Sequence, residues 1–211
     1  MPFTEPTTML TDYLLALLCL FLAGKLWKVG QKQRQQSIIL WTVAFVTTAI
    51  AAIAGGTTHG FSLQLSSTLE NLLWKLTVYS IGFTSFFMFT GTVYASVSGK
   101  VQGWLTGLAI LILVIYSVWM LTHDDFLYVI LDYLPAMFGI IILQSIACKY
   151  QKAASAPWII GAVLVSFVGA GIQQSELNLH KYFNHNDLYH VIQMIAIWLF
   201  YRGVLLMRDR E

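Results

Sequence analysis

The residues best equipped for chemistry in this chain of 211 residues lie in one short run, Phe183-Asn184-His185-Asn186-Asp187-Leu188-Tyr189-His190-Val191-Ile192-Gln193. Two imidazoles, several amides and a carboxylate stand where an apolar segment begins. At helical spacing Asn186, His190, Gln193 and Ile197 fall at i, i+4, i+7 and i+11 and share one face, whereas Val191, Met194, Ile195 and Trp198 occupy others. That face is expected to turn inward, because hydrocarbon cannot satisfy polar groups. Imidazole nitrogens are zinc ligands, and two ligands on one helical face need a spacing of three or four. His185 stands five before His190, and the four-spaced residue is Asn186. A His185 and His190 ligand pair therefore requires the helix to start at Asn186, with His185 on the loop before it.

Further candidates are spread along the chain. His59 closes the run Gly55-Gly56-Thr57-Thr58-His59-Gly60, and Thr48, Ala52, Gly55 and His59 share a face of small or polar residues. Such a face serves as a packing seam between helices, or it delivers the His59 ring to a metal. Glu70 opens the third apolar segment, where a carboxylate favours the positive end of a helix dipole. Asp12 shares a face with Ala16, Cys19 and Ala23, and Asp132 with Pro135, Ala136 and Gly139. Both acids are thus directed at close helix contacts, either as partners of Lys75 or a histidine, or as groups that orient a ring N–H. Lys75 lies on another face of its segment and could instead extend toward the membrane surface. Cys19 and Cys148 sit in apolar runs without metal-type spacing and read as packing.

The elements that must position these residues are apolar. The chain is 57% hydrophobic and 10% charged, with a mean hydropathy of +0.69, which marks a membrane protein rather than a soluble one. Segments of the roughly 17 to 25 residues that cross a bilayer are expected seven times, at 9–27, 38–59, 69–97, 101–121, 126–148, 157–173 and 187–207. No linker is long enough for a soluble domain, so the predicted fold is all-α, a single polytopic seven-helix bundle over 1–211. Met1 to Asp12 carry no Lys or Arg, which argues against a cleaved signal peptide. Lys25, Lys28, Lys32, Arg34, Lys100, Lys149, Lys152, Arg202, Arg208 and Arg210 fall on one side of this layout; Lys75 and Lys181 fall on the other with most of the acids. The positive-inside rule then places the N-terminus outside and the C-terminus inside. All five histidines, His59, His123, His180, His185 and His190, reach the outer side. The net charge of +2 gives no basis for nucleic-acid binding.

With these residues in this order, the chain resembles the CREST superfamily of seven-helix membrane hydrolases, which includes the alkaline ceramidases and the progestin and adipoQ receptor proteins. The likeness extends over nearly the whole chain. That family carries a histidine late in the second helix, an acid early in the third and a His-x-x-x-His pair opening the seventh, which together hold zinc and a water. His59, Glu70 and His190 match in place. Gly55 stands where the family has a serine, and Asn186 where it has the first histidine of the pair. The resemblance implies a zinc-dependent hydrolase of an amide or ester bond in a lipid-like substrate. Its zinc would sit on His59, His190 and His185, Glu70 would orient and deprotonate the water, and Thr57 or Thr58 would supply a hydroxyl. Asn186, Asp12, Asp132 and Gln193 would stand behind the ligands. The alternative expectation is a metal-free seven-helix protein in which Asn186, Gln193, Gln173, Gln174 and Glu176 bind a polar ligand or hold the bundle together.

Overall fold

The computed structural model describes residues 3–175, 178–180 and 183–210; Lys181 of the charge layout and Glu176 of the metal-free alternative lie outside them. The described residues form seven helices: α1 (Pro6–Gln33), α2 (Gln36–Phe61), α3 (Ser67–Ser96), α4 (Gly99–Trp119), α5 (Phe126–Gln151), α6 (Ala156–Gln174) and α7 (His185–Val204). The first six are long and apolar enough to cross a membrane. The seventh falls short of that measure, because its first turns carry His185, Asn186, Asp187 and His190. This is the make-up of an integral membrane protein.

Local chemistry sets the helix ends. Pro6 occupies the first turn of α1, where its missing N–H is not needed. Ser66 caps α3 by accepting from the Leu69 N–H, and Asp125 caps α5 by accepting from the Leu127 N–H. Asn184 and Asp187 form a reciprocal capping box at α7. The helix therefore starts at His185, one residue earlier than a loop-borne His185 ligand requires. The capping box is the physical reason: Asn184 satisfies the N–H groups of Asn186 and Asp187. Helix α1 continues to Gln33, past the expected end at Trp27, and turns only at Arg34, whose φ of 54° is left-handed.

Six helices close into a ring: α1 packs on α2 and α7, α2 on α3, α3 on α5, α5 on α6, and α6 on α7. Trp41, Phe45, Ile140, Ile159 and Phe200 fill its core. Helix α4 stands outside the ring. It leans on α3 and scarcely touches α5, and along its length only Ala109 and Tyr116 are buried. Tyr116 docks where Gly82 leaves room, since a Cβ there would lie 2.4 Å from the tyrosine ring; its hydroxyl donates to the Val78 carbonyl at 2.8 Å. Lys75 pairs with Asp124 at 2.7 Å and donates to the carbonyls of Met120 and His123. It thereby satisfies the C-terminal end of α4 and partners neither Asp12 nor Asp132.

At the end of the bundle opposite the histidines, the chain terminus returns to α2. The Asp209 carboxylate accepts from the Gln36 and Ser37 N–H groups, and Gln35 has no side-chain bond of its own to that helix start. A carboxylate at this position satisfies orphan donors and favours the helix dipole. Asp209→Ala is expected to lower stability by about 0.5–2 kcal/mol, the range for a lost helix cap, read by denaturant unfolding in mixed micelles.

Candidate functional site

At the histidine end, α1, α2 and α7 converge. Helix α1 presents Thr8, Thr11, Asp12 and Leu15 at i, i+3, i+4 and i+7, one face turned to its neighbours. Helix α7 presents Asp187 and His190, three apart on one face. Asp12, Asp187 and His190 are 5%, 1% and 7% exposed, well below the usual exposure of ionisable side chains. Glycine allows the approach: a Cβ at Gly56 would lie 2.7 Å from the Asp12 Cβ.

His190 is held at both nitrogens. Its Nε2 lies 3.2 Å from Asp12 Oδ1, and its Nδ1 lies 2.9 Å from Thr11 Oγ1. The Thr11 hydroxyl also lies 3.0 Å from the Thr8 carbonyl, so it bridges the ring and the backbone of its own helix. An acid and a base this close can share one proton. Whichever atom holds it, the pair is neutral overall, the inexpensive way to bury an acid and a base together. The order Thr11, His190, Asp12 is that of a nucleophile, base and acid, although the Thr11 hydroxyl is also engaged by the Thr8 carbonyl. Asp12 Oδ2 and Asp187 Oδ1 are buried without hydrogen-bond partners. Glu5 and Asp187 lie near enough to Asp12 for their charges to act on it.

His59 lies near enough to His190 for the two rings to interact electrostatically. Its Nδ1 is 3.2 Å from Glu5 Oε2, and the Glu5 N–H donates to the His59 carbonyl at 3.1 Å. The segment before α1 thus folds over the end of α2. His185 turns away toward Asn178, whose Oδ1 is 3.3 Å from both its N–H and its Nδ1. Glu70 is exposed in the first turn of α3. The Thr58 hydroxyl donates to the Ala54 carbonyl of its own helix at 3.1 Å, and Thr57 bonds to Ile53 and Tyr13. Asn186 is half-buried behind the cap. Gln193 is bonded to Ser166 through both its amide oxygen and its amide nitrogen. Asp132 stands apart, in a cleft between α3, α4 and α5. His190 and Asp12 therefore come together, His59 stands at the same end paired with Glu5, and His185, Glu70, Thr58 and Asp132 do not join them.

The fit to zinc follows from these partners. Catalytic zinc takes three protein ligands and a water. Here both His190 nitrogens are taken, His185 points elsewhere, and among the described residues no group of three or more His, Cys, Asp or Glu is arranged to hold a metal. The ligand set implied by the resemblance does not fit zinc as it is arranged.

Beneath the His190 and Asp12 pair lies a cavity of ≈ 320 Å³ with walls from all six ring helices and none from α4. Ile81, Met88, Phe167, Ile197 and Phe200 make its deep wall apolar; Tyr133, Tyr189, Gln173, Gln174 and Gln193 give it polar groups. Leu15 and Tyr189 connect it to the site, since they follow Asp12 by one turn and precede His190 directly.

A family described as "Family of unknown function (DUF6962)" matches residues 7–209, from the second residue of α1 to the Asp209 cap. The chain belongs to this family. No curated protein and no solved structure matches it. The DUF6962 match includes every helix and every residue of the site except Glu5.

Sequence reasoning missed Thr11, Asp187 and Glu5. Thr8 and Thr11 could have been found by extending the Asp12 face toward the N-terminus. Asp187 reads as a first-turn acid, and its burial depends on how α7 leans on α1. Glu5 precedes the helix, where no periodicity operates.

Proposed function

We propose that this DUF6962 protein crosses the membrane seven times, N-terminus outside and C-terminus in the cytoplasm, and binds an amphipathic, lipid-like ligand in its central cavity without a metal. The cavity carries the reading: ≈ 320 Å³ lies within the range of about 300–1,000 Å³ for small-molecule pockets, which are mostly apolar with a few convergent polar groups. A ligand arriving from the bilayer gains little from burying its chain, because lipid tails are as apolar as the wall. Selectivity then rests on the polar groups, and the tyrosines and glutamines near the histidine end would bind a head rich in hydroxyl or amide groups. The His190 and Asp12 pair stands over that end. The sidedness rests on the ten basic side chains that gather at the other end.

The test is native mass spectrometry of protein purified in mild detergent. One lipid-like molecule per chain is expected, displaced in Ala51→Trp, which fills the cavity from α2, and exchanged for a different species in Gln193→Leu. A wild-type protein that carries no ligand and takes up none from added lipid extract would end this reading. The nearness of His59 to His190 favours one rival, the zinc hydrolase of the CREST-like kind. Elemental analysis of the same preparation separates them: stoichiometric zinc, lost in both His59→Ala and His190→Ala, would overturn the metal-free reading and favour the rival.

A further inference from the structure

We propose that the cleft between α3, α4 and α5 is a second binding site, for a single-chain aliphatic amine entering from the lipid, with its ammonium group paired to Asp132. The cleft has a volume of ≈ 400 Å³ and lies outside the ring that encloses the central cavity. Phe86, Phe89, Ile112 and Leu113 make its wall apolar, while Leu108 and Leu131 at its margin are exposed, so a chain can enter sideways from the bilayer.

One charged group interrupts this wall. Asp132 Oδ2 is buried without a hydrogen-bond partner, and Ser85, whose hydroxyl donates to the Ile81 carbonyl at 3.2 Å, lines the same cleft. Among the described residues no ion pair reaches it. The nearest cation along α3, Lys75, is committed to Asp124 and the end of α4. An acid at this depth needs a partner, and the fold leaves it facing apolar space. A second acceptor stands beside it. Pro135 lies inside α5 and has no N–H, so the Leu131 carbonyl loses its i+4 donor, and both residues line the cleft.

A primary ammonium has three N–H donors and a positive charge, which match a free carboxylate oxygen, a carbonyl without its helical donor and the Ser85 oxygen. A neutral alcohol lacks the charge, and a quaternary ammonium lacks the donors. Asp132 sits six residues into α5, ~9 Å along the helix axis at 1.5 Å per residue, so an amine drawn to it carries its chain deeper along α4. The loose seat of α4, which scarcely touches α5, lets the cleft widen for that chain.

The test uses full-length protein in lipid nanodiscs with photoreactive dodecylamine, competed by unlabelled dodecylamine, 1-dodecanol or dodecyltrimethylammonium. Labelling is expected in α3 to α5 peptides, with dodecylamine competing at least tenfold better than either analogue. Asp132→Asn is expected to lose that preference. Ala136→Trp fills the cleft while leaving Asp132 in place and is expected to lose the labelling altogether, which keeps the test decisive should the Asn variant resist purification. Equal competition by dodecanol, an amine preference that survives Asp132→Asn, or labelling unchanged in Ala136→Trp would each overturn the proposal. Ligand occupancy of the central cavity is read separately, because Ala51→Trp should leave this labelling intact.

Discussion

His190→Ala is expected to destabilise the protein by about 3–5 kcal/mol, the magnitude for breaking one side of a buried ion pair. The loss arises because Asp12 Oδ1 has His190 Nε2 as its partner at 3.2 Å, Oδ2 has none, and the residue is only 5% exposed. Asp12→Asn should be milder, since the amide keeps the shape and offers an N–H to the imidazole. Replacing both residues, Asp12→Leu with His190→Leu, should recover most of the lost stability, because two apolar groups leave no polar atom unsatisfied. Denaturant titration of wild type, the two matching single variants Asp12→Leu and His190→Leu, and the double variant in one micelle system measures the coupling. Losses that simply add, with the double variant the least stable, would show that the two side chains do not form a paired unit.

Gly56→Ala should cost about 1–3 kcal/mol, as overpacking of a tight contact does, even though alanine is the better helix former. The added Cβ would meet the Asp12 Cβ at 2.7 Å, the Tyr13 ring at 3.2 Å and the Met9 carbonyl at 3.3 Å. None of these is the free end of a flexible chain, so α1 must back away from α2 and carry Asp12 with it. The neighbouring position behaves in the opposite sense. A Cβ at Gly55 meets nothing nearer than Asp12 Oδ2 and Thr77 Cγ2, both at 4.0 Å. Gly55→Ser should therefore stabilise the protein by about 1 kcal/mol, from helix propensity and a hydroxyl within reach of the unpartnered Asp12 oxygen. Thermal unfolding of both variants beside wild type checks the contrast. A stabilised Gly56→Ala would mean that α1 and α2 are not in close contact there.

These predictions depend on a division between what sequence and what packing decide. Apolar segment length and local end signals belong to the sequence. Bilayer thickness fixes how many apolar residues a span needs, and Pro6, Ser66, Asp125 and Asn184 act within a few residues of themselves. Helix number, order and approximate extent were therefore legible, and so was the inward face of Asp12, which shares its side of α1 with buried Ala16, Cys19 and Ala23. The start of α7 shows the limit: spacing alone could not choose between His185 and Asn186 as the first helical residue, and the capping box at Asn184 decides it.

Which faces meet was not legible, because helix periodicity gives directions around each axis but no rotation of one axis against another. Asp132 and Asp12 look alike in sequence, each among small residues on a membrane helix. The closed ring of α1, α2, α3, α5, α6 and α7 sends them apart, Asp12 to His190 at the histidine end and Asp132 to the cleft under α4. Lys75 was a candidate partner for either acid until α4 ended within its reach. The histidines show the same limit. Their clustering at one end follows from alternating spans, but His59 takes Glu5, His190 takes Asp12 and Thr11, and His185 takes Asn178. Those choices depend on distances of a few ångströms between helices, set by the close approach at Gly56 and by which helix is left outside the ring. The sequence by itself determined a set of membrane-length helices with polar groups gathered at one end. Only the tertiary structure decided which of those groups meet, because a hydrogen bond between helices is fixed by their axial rotation and separation, and no local pattern encodes either.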